Sequence, residues 1–406
     1  MKKVKRVITI LIGGAVLLFF AYSFTFSSEL SFERYSSITT PVAKKKQVKH
    51  LKTPKPLKAI YMTQCVAGTP SFRDKLVKLV DETELNSIVI DIKDYTGTVS
   101  FDTGNPEIDS LSLGGPGCKA VGMKEFIKML HDKNIYVIGR ITVFQDPLYT
   151  NAHPELAVKR ESDGGVWKDR KGISFIDVGA KPFWNYVVSI ADASYAIGFD
   201  EINFDYVRFP SDGNMKDIDY TYTGTTTKKE MLRQFFEYLD KKMTSIGVVT
   251  SADLFGMTTT NTDDLNIGQI LEYALMHFDY VAPMVYPSHY PKTFNGWPDP
   301  NKVPYEIVKF SMDTAVARAN FLYNEISTTT KVLADGTLAS STPDKRLMKR
   351  INPLQLRPWL QDNDYPTPYT PEMVRAQIQA TYDAGLTSWM LWDAANTYTK
   401  KALLDK

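Results

Sequence analysis

The sequence predicts an α/β fold, a (β/α)8 barrel preceded by one N-terminal transmembrane helix. Three observations lead there. From Leu57 onward, short apolar runs alternate with segments of helical periodicity, the pattern of βαβ units around a parallel sheet. Eight such units fit in the chain with no repeat of short period and no second domain, leaving an open doubly wound sheet as the alternative architecture. Several of the apolar runs also end in charged residues, which is where a barrel gathers its functional groups.

The first strand is expected over Leu57 to Met62, followed by a helix from about Ser71 with Phe72, Leu76, Leu79 and Val80 on one face. A second strand, Ile88 to Ile92, precedes a helix carrying Met123, Phe126, Ile127 and Leu130, and a third strand runs from Ile135 to Phe144. The stretch from Gln145 to about Ala180 reads as a long loop, rich in Gly and Pro, and loops of that length usually serve function. Helices through Phe183 to Ile190 and Met231 to Leu239 lead to strands at Phe199 to Phe204 and Ile246 to Ala252. A helix from Ile267 to His277 leads to a sixth strand, Tyr280 to Tyr286. After a long helix from Pro304 to Ile326, a seventh strand is expected around Leu354 to Leu360, although Pro353 and Pro358 suit a strand poorly. A helix opened by Pro371 and closed near Gly385 brings the chain to an eighth, Thr387 to Trp392.

Upstream of the barrel, Lys2, Lys3, Lys5 and Arg6 precede an uncharged run from Val7 to Phe26, long enough to span a bilayer. No small-x-small cleavage site follows, so residues 1–27 read as an uncleaved signal anchor rather than a cleaved leader. The basic N-terminus stays inside by the positive-inside rule, which leaves the body of the chain extracytoplasmic on the cell membrane. Residues 28–56 read as a lysine-rich, proline-containing stalk, either a solvated spacer or a contact to anionic lipid or wall polymer. The globular domain is then residues 57–406.

Composition excludes several classes. A net charge of +2 and the lack of a recognisable module argue against nucleic-acid binding. The histidines His50, His131, His153, His277 and His289 lack metal-ligand spacing, and there is no nucleophile elbow, P-loop or dinucleotide-binding turn, so no metal or cofactor is expected. Cys65 and Cys118 are the only cysteines, open to one bridge or to two free thiols.

The candidate site residues are those at strand ends: Asp91 and Lys93 on the second strand, Arg140 on the third, Asp205 on the fourth, Asp253 on the fifth and Asp393 on the eighth. On the fourth strand Glu201, Asn203 and Asp205 share a face, and Asp205 is flanked by Tyr206 and Arg208. A carboxylate so placed suits a nucleophile or charge stabiliser opposite an oxocarbenium-like transition state. The alternative is a structural ion pair of Arg208 with Asp205 or Asp200. Glycoside hydrolysis needs a second, protonated carboxyl, and Asp253 on the adjacent strand is the first candidate, with an N-cap or turn role as its alternative; Asp91 and Asp393 are further candidates, which Lys93 and Arg140 could equally pair with structurally. Among the aromatics Tyr95, Phe144, Trp167, Tyr206, Tyr286, Tyr290, Trp297, Trp359, Trp389 and Trp392, half are expected in the core. Tyr286, Trp297 and Trp392, and Trp167 in its polar loop, are candidates to contact sugar rings.

The segments IDIKDYTG (90–97), IGRITVFQD (138–146), FDYVRFP (204–210) and MVYP (284–287) resemble, in order, a bacterial family of glycosyl hydrolase-type domains. The resemblance spans roughly Leu57 to Lys400. It implies a (β/α)8 barrel whose key carboxylate is Asp205, distantly similar to the α-amylase-like glycosidases. There an Arg-x-Asp on the fourth strand carries the nucleophile, and the acid on the fifth is usually Glu. Here Asn203 replaces the Arg and Asp253 replaces the Glu. The implied function is cleavage of an extracellular or cell-envelope polysaccharide, and the other reading is a catalytically idle barrel that binds such a glycan.

Overall fold

The computed structural model describes residues 48–328, 330–332, 338–340 and 342–406. The expected anchor (1–27) and the stalk as far as residue 47 lie outside the described residues, among which no helix is long and apolar enough to cross a membrane.

Eight parallel strands close into a barrel. They are β1 (Lys58–Met62), β2 (Ser87–Lys93), β3 (Tyr136–Thr142), β4 (Glu201–Asp205), β5 (Val249–Phe255), β6 (Tyr280–Met284), β9 (Trp359–Gln361) and β10 (Trp389–Trp392). Between β6 and β9 the chain forms a separate antiparallel hairpin, β7 (Thr330–Val332) with β8 (Leu338–Ser340), which the sequence pattern does not signal. Closure comes from β1 pairing with both β2 and β10, which excludes the open sheet.

The seventh barrel strand is shorter and later than expected. Pro353 opens a 3-10 turn, Pro353–Gln355, and only from Trp359 does the chain run as a full strand. Neither proline can donate to a ladder, so the approach is held instead by Arg357 N donating to Val281 O at 2.9 Å. On the fifth unit the helix Lys228–Ile246 takes up the residue placed at the start of the strand, and Gly247, at φ 84°, ends it.

Alternation divides the strand residues between two cores. Outward-facing Ile60, Ile88, Ile90, Ile202 and Leu254 pack beneath the surrounding helices, including Pro70–Glu82, Met123–Asp132, Lys181–Ile197 and Pro371–Asp383. Inward-facing Ala59, Val89, Tyr136, Ile138 and Met390 fill the barrel. The last residues of the segment expected as stalk belong to this inner structure. Leu51 packs on the inner cluster, its N–H donates to Asp200 Oδ1 at 2.6 Å, and Thr53 Oγ1 bonds Tyr136 Oη at 3.0 Å. His50 stacks on Tyr195, with ring centroids 4.0 Å apart. Residues 48–56 therefore form the floor of the barrel.

The long segment after β3 is ordered. It holds a helix, Pro147–Ala152, and a set of isolated bridges around a small cluster of Val158, Trp167 and Phe175. Trp167 is 1% exposed and donates Nε1–H to Asn214 O, so it is the centre of that cluster and not a sugar platform. Cys65 and Cys118 form a disulfide with Cα atoms 4.9 Å apart.

Candidate active site

The register of the sheet assembles the site. Asp91 pairs with Arg140, and Arg140 with Asn203, so one inward layer carries all three. Asn203 pairs with Ser251, hence Asp205 and Asp253, each two residues further on, stand at one level on neighbouring strands. Arg140 is the hub. Its Nη1 donates to Asp91 Oδ1 at 2.6 Å, its Nε to Asp205 Oδ2 at 3.1 Å, its Nη2 also bonds Asp205, and Nε lies 3.8 Å from Asp253 Oδ2. Burial opposes the charge on Arg140, but Asp205, Asp91 and Tyr61 outweigh it and hold the guanidinium protonated.

Asp205 is held on both oxygens. Oδ2 faces Arg140, and Oδ1 accepts from the N–H of Tyr206 at 2.5 Å. That second bond depends on an unusual backbone: Tyr206 has φ 51°, left-handed for a non-glycine residue, at a cost of about 1–2 kcal/mol.

Asp253 is 1% exposed, and its Oδ1 accepts from Asn203 Nδ2 and Trp359 Nε1, both at 2.8 Å. It lies within β5, so the N-cap alternative does not apply. Burial, reinforced by the negative charge of Asp205, pushes its carboxyl up to about 8. Asp91 is raised to about 6, again by burial, while Tyr61 and Arg140 bond its two oxygens.

An open cavity of about 260 Å³ lies over these groups, lined by Arg140, Asp205, Tyr206, Arg208, Asp253, Tyr286 and Trp392 among the expected residues. Asp91 and Asn203 stand behind it as partners of Arg140 and Asp253. Three candidates fall elsewhere. Past a register shift on β2, Lys93 forms a fully buried ion pair with Asp146 at 2.8 Å. Asp393 accepts from Ala395 N and Thr397 N, fixing its own turn. Trp297 packs edge-on against Phe310, with centroids 5.9 Å apart. The suspected pairing of Arg208 with Asp205 or Asp200 is also absent among the described residues: Asp205 is held by Arg140, and Asp200 sits at the floor, bonded by His131 and the Leu51 and Val137 amides.

Tyr290 and Trp359, named among the clustered aromatics, also line the cavity, together with Phe255, Gly256, Met257, Met284 and His289, which no strand-end charge points to. Gly256 is required there, since a Cβ would lie 2.3 Å from Met284 O and 2.8 Å from Tyr290 Oη. Tyr61, which bonds Asp91, is inward by strand parity, the one signal that could have found it.

A family model described as "putative glycosyl hydrolase domain" matches residues 59–332 and 327–398. The chain belongs to this family. Among solved structures, the glycosyl hydrolase domain described here is similar to a hypothetical protein from Ruminiclostridium thermocellum ATCC 27405, at 33% identity over 51% of this chain and 98% of that one, with a TM-score of 0.43. It is also similar to the PgaB (BpsB) glycoside hydrolase domain from Bordetella bronchiseptica, at 12% identity over 83% of this chain and 94% of that one, with a TM-score of 0.55. The spore cortex-lytic enzyme SleL from Bacillus megaterium QM B1551 matches at 10% identity, covering 86% and 72%, with a TM-score of 0.46. The PgaB likeness supports the fold alone. Among curated proteins none matches this chain.

Proposed function

We propose that this glycosyl hydrolase domain cleaves a polysaccharide outside the cytoplasm, with Asp253 as general acid and Asp205 as nucleophile. The observation that carries the reading is the charge balance around Arg140, where one guanidinium faces Asp91, Asp205 and Asp253, all largely buried. Three ionised carboxylates there would leave an uncompensated double negative charge, so a proton is retained, and burial favours keeping it on Asp253. With Oδ1 occupied by two donors, Asp253 Oδ2 is the atom to carry that proton to the glycosidic oxygen. Asp205, fixed by Arg140 and the Tyr206 amide, attacks the anomeric carbon as the leaving sugar departs. Asp253 then takes a proton from the water that releases the sugar from Asp205.

Neighbouring strands lie about 4.8 Å apart, so two carboxyls at one level suit the separation of roughly 5–5.5 Å used for retention of configuration. Tyr286, Trp359 and Trp392 supply aromatic surface beside the reacting groups. Export is supported by the basic tip and apolar run of residues 1–27, and by a disulfide suited to an oxidising compartment. The test is release of reducing ends from a panel of purified envelope and extracellular polymers, with the first-formed anomer followed by proton NMR. Cleavage of one polymer with retention is expected. Binding without any cleavage would favour the idle barrel, and inversion would remove Asp205 as nucleophile.

A further inference from the structure

The cavity contains two guanidinium groups in opposite situations. Arg140 is committed to Asp91 and Asp205. Arg208 forms no ion pair or hydrogen bond with a carboxylate among the described residues, although Asp205, Asp169 and Asp212 act on it from further away. Its guanidinium lies 5.1 Å from the ring centroid of Tyr206 and 5.5 Å from that of Phe255. Nη1 donates to Phe209 O at 3.0 Å and to Ser211 Oγ at 3.1 Å, and these are its hydrogen bonds among the described residues. The contacts to the two rings restrain the group and the Nη1 bonds orient it. What remains is the edge formed by Nε and Nη2, two parallel N–H groups that match two oxygens of one anion.

Burial lowers the Arg208 pKa, and Tyr206, with Asp205, Asp169 and Asp212 acting from beyond ion-pair distance, offsets this only in part. A sugar hydroxyl would satisfy one N–H but bring no charge into contact with the guanidinium. An oxyanion would satisfy both. We propose that Arg208 is a subsite for an oxyanion carried by the substrate, so that the polymer recognised is an acidic glycan. The inference rests on the hydrolase reading and adds the substrate class. A uronic acid carboxylate and a sugar phosphate ester share the required chemistry.

The test uses the full chain with Asp205→Asn to stop turnover, and measures binding of two sets of oligosaccharides. One set bears uronic acids and is compared with its carboxyl-reduced copy; the other bears phosphate esters and is compared with its dephosphorylated copy. One acidic set should bind about tenfold or more tighter than its neutral copy, the value expected for a charge-assisted bond of about 1.5–3 kcal/mol. Adding Arg208→Gln should bring that ratio near one while leaving the neutral copy's binding nearly unchanged. Arg208→Lys should keep part of the preference, as a point charge without the paired edge. Equal binding of acidic and neutral copies, equal weakening of both by Arg208→Gln, or no binding by either set overturns the proposal. The hydrolase reading is judged separately: wild-type cleavage of neutral polymers without acidic preference leaves it standing, and an Arg208-dependent preference in a protein that cleaves nothing removes it.

Discussion

Arg140 can neutralise only one of the carboxyl groups it faces, and the others divide according to their remaining partners. Asp205 takes two arms of the guanidinium, whereas Asp253 is reached only at 3.8 Å and lies deeper. The indole of Trp359 adjusts this balance, because its hydrogen bond favours the ionised form of Asp253. If Asp253 is the acid, activity is present while it is protonated and falls as pH rises through its raised value of about 8. Trp359→Phe removes the N–H, so the alkaline limb of kcat/KM should move to higher pH, by about one unit for roughly 1.4 kcal/mol. A limb that stays or moves down would contradict the assignment. The candidates visible in the sequence were those where a charged or amide side chain and strand parity coincide, as at Arg140, Asn203, Asp205 and Asp253. Lys93 has the charge and the strand-end position, but a register shift turns it to Asp146. Trp359 was visible only as one of ten aromatics, half of them expected in the core, Gly256 gave no signal, and the positive φ of Tyr206 leaves no trace in its residue type.

At the scale of elements, periodicity located all eight barrel strands at least in part, since most are short buried runs set between helical segments. It failed where backbone chemistry overrides pattern. Prolines delay β9, and a hairpin of two three-residue strands is too short to show any period. It also missed the floor. Residues 48–56 carry Lys49, Lys52 and Lys55 and so resemble a solvated spacer, yet Leu51 is folded onto the inner core and its amide helps satisfy buried Asp200. Removing the chain up to Gln47 should leave a folded domain. Removal up to Pro56 should lower the thermal midpoint clearly, because it uncovers inner apolar surface and strips a hydrogen bond from a buried carboxylate, a loss of about 1–3 kcal/mol for that bond alone. Equal midpoints would show that the segment is a spacer after all.

For the whole molecule, a closed barrel fixes side chains from β3, β4, β5, β6, β9 and β10 around one cavity, and the segments that follow β4, β5 and β6 complete its lining. The expected anchor would present that cavity outside the cell. On intact protoplasts carrying the full chain, added protease should remove the barrel, and its protection would contradict export. The central claim is that the domain hydrolyses glycosidic bonds through Asp205, and it is tested most directly by the full-length Asp205→Asn protein on whichever polymer the wild type cleaves. Because Arg140 keeps its bond to Asp91, the fold should hold with a nearly unchanged thermal midpoint while turnover falls by at least roughly a hundredfold. Full activity in that protein would contradict the account.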